Sequence, residues 1–417
     1  MTMQPMRQLF TALVVSLLIA ASSAGAEDAT MRILPSEPGR WRPWTCGSLS
    51  KNELKTYGLT QSDVNAFQVR LRQIAEIFRS SPAWSPPIGA DPSLSGSLFM
   101  PWSPSLAAKK HLPIAGTIMM GSFEHYEIIR TEGDKEQHER YVGGETLHIM
   151  IDVNALPKGG GINMLSDREG EFYEEPVRTA DMFGFPTYGD VLIIAKNGRP
   201  VWTPISRERF LKAFIAKRRP EAANAERYIA DQQRKYEAFI APDAYAARQV
   251  KYKAAVDKMA AKGPAAAEHE QRYWERDEAD TLKLLKRGAS RDPKDSPFAA
   301  MIAGLKAAEE QLGAMSPADR SAPACLLEDK LDPSRSGLVP MGTPDCKPLV
   351  GKNPNFFDPS LPRGVPQIIT AQRFRDLEQA WKKGRPDENS NGTLDLWTTY
   401  EAFYRTDWRK VADHIGR

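Results

Sequence analysis

Apolar residues recur at helical spacing just after the first sixty residues. Val64, Phe67, Leu71, Ile74 and Phe78 fall on one face of Thr60–Arg79, which predicts an amphipathic helix with that face buried. Thr60 stands at the N-cap with Asp63 three positions on, the spacing of a capping box. The period then shortens to two. In ETLHIMIDVN, Leu147, Ile149, Ile151 and Val153 alternate with Thr146, His148, Met150 and Asp152, and IAGTIMMGSFEHYEIIR has a similar pattern. Residues 112–205 therefore read as a mostly antiparallel sheet on which the first helix packs. Asn197-Gly198 between the apolar runs of DVLIIAKNGRPVWTPIS predicts a type I′ hairpin that feeds a helix from about Ser206.

The flanking segments carry less pattern. Residues 27–59 are expected to be irregular, with Trp41 and Trp44 pinning them to the core. Residues 82–104 interleave proline with tryptophan and read as an extended connector packed on the sheet. Residues 206–314 are charged and helical, a helical insertion divided at Pro220, Pro242, Gly263-Pro264 and Pro293/Pro297. Beyond them, 315–369 is rich in proline and glycine, and Val365–Ile369 is expected to add a strand to the sheet. Thr370–Lys383, with Phe374, Leu377 and Trp381 on one face, predicts the first half of a C-terminal helix–turn–helix. The expected fold class is α+β, divided into 27–205, 206–314 and 315–417.

Composition adds a compartment. Arg7, the apolar run Leu9–Ala21 and Ala24-Gly25-Ala26 have the order of a cleavable export signal. Residues 1–26 are thus the expected signal peptide, Glu27 the mature start, and the bacterial periplasm or the exterior the destination. The run is shorter than the roughly 20 residues that span a bilayer, and no later segment is apolar for long enough. The formal net charge is +3 and falls by one when Arg7 is removed. Such a balance argues against a global electrostatic grip on nucleic acid or anionic lipid. The basic patch KAFIAKRRP reads as a solvated helix face. Of three cysteines, Cys325 and Cys346 are the natural disulfide in an oxidising compartment, leaving Cys46. No CxxC or His/Cys cluster supports zinc.

Motifs for catalysis are sparse. No GxSxG is present, and KGGGIN at 158–163 lacks the GK[ST] ending of a phosphate loop. His148 and Asp152 share a strand face, and His125 lies on a neighbouring predicted strand, so these three are the candidates for acid–base work. The stretch DENSNGTLDLWT resembles an EF-hand calcium loop. Asp387, Asn389 and Asn391 stand at positions one, three and five, Thr393 offers its carbonyl at seven, and Asp395 stands at nine. Thr398 replaces the bidentate glutamate of position twelve, so the segment is expected to be a turn between helices, with calcium as the alternative and no other cofactor. The leading functional expectation is a non-enzymatic binding or envelope-associated protein that works with an envelope partner. The alternative is a secreted hydrolase with its site on the polar sheet face near His125 and His148.

Overall fold

The computed structural model describes residues 29–132, 135–159, 165–327, 336–372 and 394–417. Strands come in the order β1 (Ala29–Ile33), β2 (Thr45–Cys46), β3 (Ala90–Phe99), β4 (Ala115–Glu132), β5 (Lys135–Val153), β6 (Ser166–Asp167), β7 (Gly170–Glu174), β8 (Arg178–Met182), β9 (Phe185–Tyr188), β10 (Val191–Ala195), β11 (Trp202–Pro204), β12 (Cys325–Leu326), β13 (Leu338–Val339), β14 (Lys347–Lys352) and β15 (Ile368–Gln372). The helices are α1 (Lys51–Tyr57), α2 (Gln61–Arg79), α3 (Pro104–Lys110), α4 (Arg207–Ile240), α5 (Pro242–Ala260), α6 (Pro264–Ala289), α7 (Pro297–Ala314), α8 (Pro317–Ser321), α9 (Leu394–Arg405) and α10 (Trp408–Ala412). Helix (45%) and strand (26%) both contribute heavily, which makes the fold α+β.

Two compact units share the chain. The first takes the described residues of Met1–Pro157, Val177–Arg199 and Pro354–Arg417; the second takes those of Lys158–Pro176 and Pro200–Asn353. The chain therefore passes back and forth between the units.

The first unit is built on a nine-stranded sheet in the order β2-β3-β4-β5-β15-β10-β9-β8, with β1 also on β4. All pairs are antiparallel except β2–β3. Helix α2 opens with a reciprocal Thr60–Asp63 capping box, and its buried face is Val64, Phe67, Leu71, Ile74, Ala75 and Phe78. That face joins Ile118 and Met120 of β4 and Ile149, Ile151 and Val153 of β5 in one core. Gly116 permits the close approach: a Cβ there would lie 2.8 Å from Leu71 Cδ1 and 2.9 Å from the Ser97 carbonyl oxygen. The C-terminal helices close the same core, with Trp408 edge-on to Phe78 at 5.3 Å.

Five expectations need correction. The stretch 27–59 is not irregular, since it carries β1, β2 and the capped helix α1. The 82–104 segment is not a connector, because its middle is β3, a full-length partner of β4. Its inward face is Ala90, Pro92, Leu94, Gly96 and Leu98, and the proline and glycine in that face disguise the strand; Gly96 lies under Trp44 and Cys46. The Asn197-Gly198 hairpin does not form. Strand β10 already has β9 and β15 on its two sides, and β11 pairs with β14 instead. Asn197 turns the chain by accepting the Arg199 amide at 3.1 Å and donating to the Phe356 carbonyl at 2.9 Å. Thr370 lies inside β15 and does not begin a helix, while 373–393 lie outside the described residues. Pro220 does not divide α4, which runs unbroken over it; buried Phe214, Ile215, Ala222, Ala225 and Ile229 hold the helix on both sides. That packing offsets the roughly 3 kcal/mol that an interior proline costs.

The second unit holds a six-stranded sheet in the order β13-β12-β14-β7-β6, with β11 on β14. Its core joins Phe172, Leu326, Leu338 and Leu349 of the sheet to Phe210, Leu211, Phe214 and Ile215 of α4. Cys325 and Cys346 are disulfide-bonded with Cα atoms 5.6 Å apart, and Cys46 is free and partly buried. Pro242, Pro264 and Pro297 each open a helix, where a missing amide proton costs nothing. Helices α4 and α5 follow one another along α6, which runs antiparallel to both, and α5 and α6 bury no residue fully.

Candidate functional site

The three acid–base candidates are not gathered. Asp152 pairs with Thr117 across the β4–β5 ladder and accepts its hydroxyl at 2.5 Å. His125 lies eight residues further along β4, about 26 Å away by strand rise. His148 falls at the register shift between Met120 and Gly121 of that ladder, and its side chain lies outside the described atoms. His125 is buried and has its own partner: Nε2 lies 3.1 Å from Asp91 Oδ1. Asp91 also pairs with Arg42 at 3.2 Å and accepts the Arg40 amide at 2.7 Å. This knot ties the segment before β2 to β3 and β4. Of the calcium candidates, Asp387, Asn389, Asn391 and Thr393 lie outside the described residues, as does the side chain of Asp395. Among the described residues no group of three or more His, Cys, Asp or Glu is placed to hold a metal ion. No described helix is long and apolar enough to cross a membrane. The proposed signal, 1–26, lies outside the described residues.

Several concavities lie in the second unit. One, of about 450 Å³, lies at the start of α4 beside Asp167 and Arg209. Arg209 grips Asp167 through Nε at 2.7 Å and Nη2 at 3.0 Å and lies over the Phe172 ring at 5.2 Å. Burial pushes the Asp167 carboxyl up. The Arg209 hydrogen bonds, its charge and the amides of Glu169 and Gly170 outweigh that, and the group titrates below the usual carboxylate range. Both charges are satisfied by each other, so this hollow is a structural tie.

A second cleft, of about 670 Å³, has a different chemistry. It lies within the 300–1,000 Å³ usual for ligand sites. Gln233 and Tyr236 of α4 form one wall; Lys283, Lys286 and Arg287 of α6, with Lys294 from the following loop, form the other. Gly288 sets the spacing of the walls. A Cβ there would lie 2.9 Å from Gln232 Cγ, so only glycine lets the end of α6 pack this closely on α4. The loop is fixed by its own hydrogen bonds. Asp292 accepts the Lys294 amide at 2.9 Å, Arg287 Nε donates to the Asp295 carbonyl at 3.2 Å, and buried Ser296 caps α7.

Neither family models, curated protein sequences nor solved structures give a match to this chain. The reading of the cleft therefore rests on its charges. Among the described residues Lys283, Lys286 and Lys294 have no ion-pair partner, and Asp295 is the sole carboxylate lining the cleft. That carboxylate accepts Ser290 Oγ at 3.3 Å. The C-terminal end of α6 favours cations at Lys286 and Arg287 through its dipole. This explains neither Lys283, a turn earlier, nor Lys294, beyond the helix. The contrast with KAFIAKRRP is direct. There Lys212 pairs with Glu208 at 2.9 Å, Arg218 with Glu221 at 3.0 Å and Arg219 with Glu309 at 2.8 Å. The basic run KLLKRGASRDPK was visible in the sequence; its want of neutralising neighbours was not, because those neighbours are supplied in space.

Proposed function

We propose that this chain is an exported, non-enzymatic binding protein of the cell envelope whose charged helical array takes an anionic ligand into the cleft between α4 and α6. The observation that carries the reading is the concentration of Lys283, Lys286, Arg287 and Lys294 around one ligand-sized cleft against a single carboxylate. Like charges held together repel, and an anion relieves that repulsion while gaining charge-assisted hydrogen bonds. The near-neutral total charge agrees with a local site over a broad polyanion surface. A hydrolase on the sheet face has no comparable support, since His125 and Asp152 stand about 26 Å apart along their ladder.

Calorimetry with pyrophosphate on the intact mature chain tests the reading. Binding is expected to saturate, to weaken as salt rises from about 0.05 to 0.5 M as the Debye length shrinks, and to vanish in Lys283→Glu/Lys286→Glu. Absence of binding in low salt, or binding that ignores the charge reversal, removes it. Export is tested by N-terminal sequencing of the protein from the envelope fraction, with Glu27 the expected first residue.

A further inference from the structure

We infer that the basic cleft opens into an apolar subsite and that its ligand is a single-chain amphiphilic anion, a phosphate or sulfate head carrying an alkyl tail. This rests on the anion-binding reading above and extends it. A second concavity, of about 390 Å³, is walled by α4, α5 and α6 and lined by Phe239, Ile240, Tyr245, Ala279 and Leu282, with Arg248, Glu275 and Glu278 at its charged end. Helical spacing places it next to the first. Tyr236 and Ile240 are one turn apart on α4, and Leu282 and Lys286 are one turn apart on α6. Glu275, Ala279, Leu282 and Lys286 follow the spacing of a single helix face. That face therefore runs from cationic through apolar to anionic.

The apolar stretch is open to solvent: Ile240 is 48% exposed, Leu282 37% and Tyr245 50%. Its far end is closed by Glu278, which is tied to Arg248 at 3.3 Å, with Arg248 stacked over Phe239 at 3.7 Å. The walls are helices, whose backbone amides and carbonyls are already bonded internally. An extended peptide lying here would leave its own backbone groups without protein partners. A helical peptide, about 10 Å across with its side chains, exceeds a hollow of this volume. An alkyl chain needs no polar partner, and it covers the exposed aliphatic surface while its head reaches the lysines.

The test is calorimetry with methyl, butyl, hexyl and octyl phosphate below micelle-forming concentrations, alongside pyrophosphate. Affinity is expected to rise about fourfold for each methylene buried. The gain should stop once the tail exceeds about 10 Å, the helix rise from Lys286 to Ala279. Leu282→Ser, at an exposed position, is expected to flatten the series and leave pyrophosphate binding unchanged. A flat series in the native chain with pyrophosphate still bound overturns this inference alone. Failure of every phosphate to bind overturns the anion-binding reading with it. Tighter binding of an acidic leucine-rich peptide than of octyl phosphate, lost in Lys283→Glu, overturns the choice of occupant.

Discussion

Asn154 is the most demanding test of how the first unit is held together. It follows β5, is fully buried, and adopts φ 60°. Its side-chain amide donates to the Ile114 carbonyl at 3.0 Å and the Val365 carbonyl at 2.9 Å, and its Oδ1 accepts the Gln367 amide at 2.6 Å. One side chain thus ties the start of β4 to the segment leading into β15. Asn154→Ala leaves three buried backbone groups without partners, each costing about 1–3 kcal/mol. Carbonyls with a second lone pair in use fall at the lower end, so the expected sum is about 3–6 kcal/mol. Alanine also pays about 1–2 kcal/mol for the left-handed conformation. Asn154→Gly avoids that strain but loses more unfolded-state entropy, and is expected to be less damaging than alanine by about 0.5–1 kcal/mol. Urea unfolding followed by the emission of buried Trp84 and Trp408 measures both. A loss below about 1 kcal/mol in Asn154→Ala would falsify the assignment of these three bonds as a structural tie. Alanine outperforming glycine would refute the conformational argument.

Three further outcomes are expected. Replacing Cys325 and Cys346 by serine, which opens a closure of 21 residues, should lower the stability of the second unit by about 3 kcal/mol in the chain-entropy account; an unchanged melting temperature would count against it. Gly116→Ala should cost about 1–3 kcal/mol through overpacking against Leu71 and the Ser97 carbonyl, and a neutral or stabilising result in thermal melts would show that α2 moves freely on β4. Because the native Asp167 carboxyl titrates below its unfolded value, its contribution is complete above about pH 5 and is lost as pH falls through about 4 and below. Asp167→Asn should therefore flatten the acid limb of the stability curve, and a limb of unchanged steepness would show that Arg209 does not favour the ionised form.

Legibility of the fold followed the strength of local signals. The helix Thr60–Arg79 was readable to its cap because five large apolar residues and a capping box agreed. The inward face of β5 was readable for the same reason. Strand β3 was hidden because Pro92 and Gly96 interrupt its inward face, Gly96 standing where packing under Trp44 and Cys46 is too close for a larger residue. The Asn197-Gly198 turn misled because turn chemistry fixes only the bend, whereas the partner of each strand is chosen by whichever sheet edge is vacant. Pro220 misled because tertiary burial overrode a local penalty. At the cleft, the basic run was on view, but a charge becomes a binding group only when no neighbour neutralises it, and neighbours such as Glu309 lie 90 residues from the cation they pair with.

The position of β15 has a consequence for the life history of the chain. This strand, ending at Gln372, lies between β5 and β10 and pairs with both. Until it is made, the two halves of the large sheet have no common partner, and each presents an open edge. At roughly 5–20 residues per second of synthesis, the nascent chain waits about 20–75 s before its central seam can be completed. A polypeptide that cannot lock this sheet until β15 exists keeps two strand edges unpaired for that interval, and the delay lengthens its exposure to edge-to-edge aggregation.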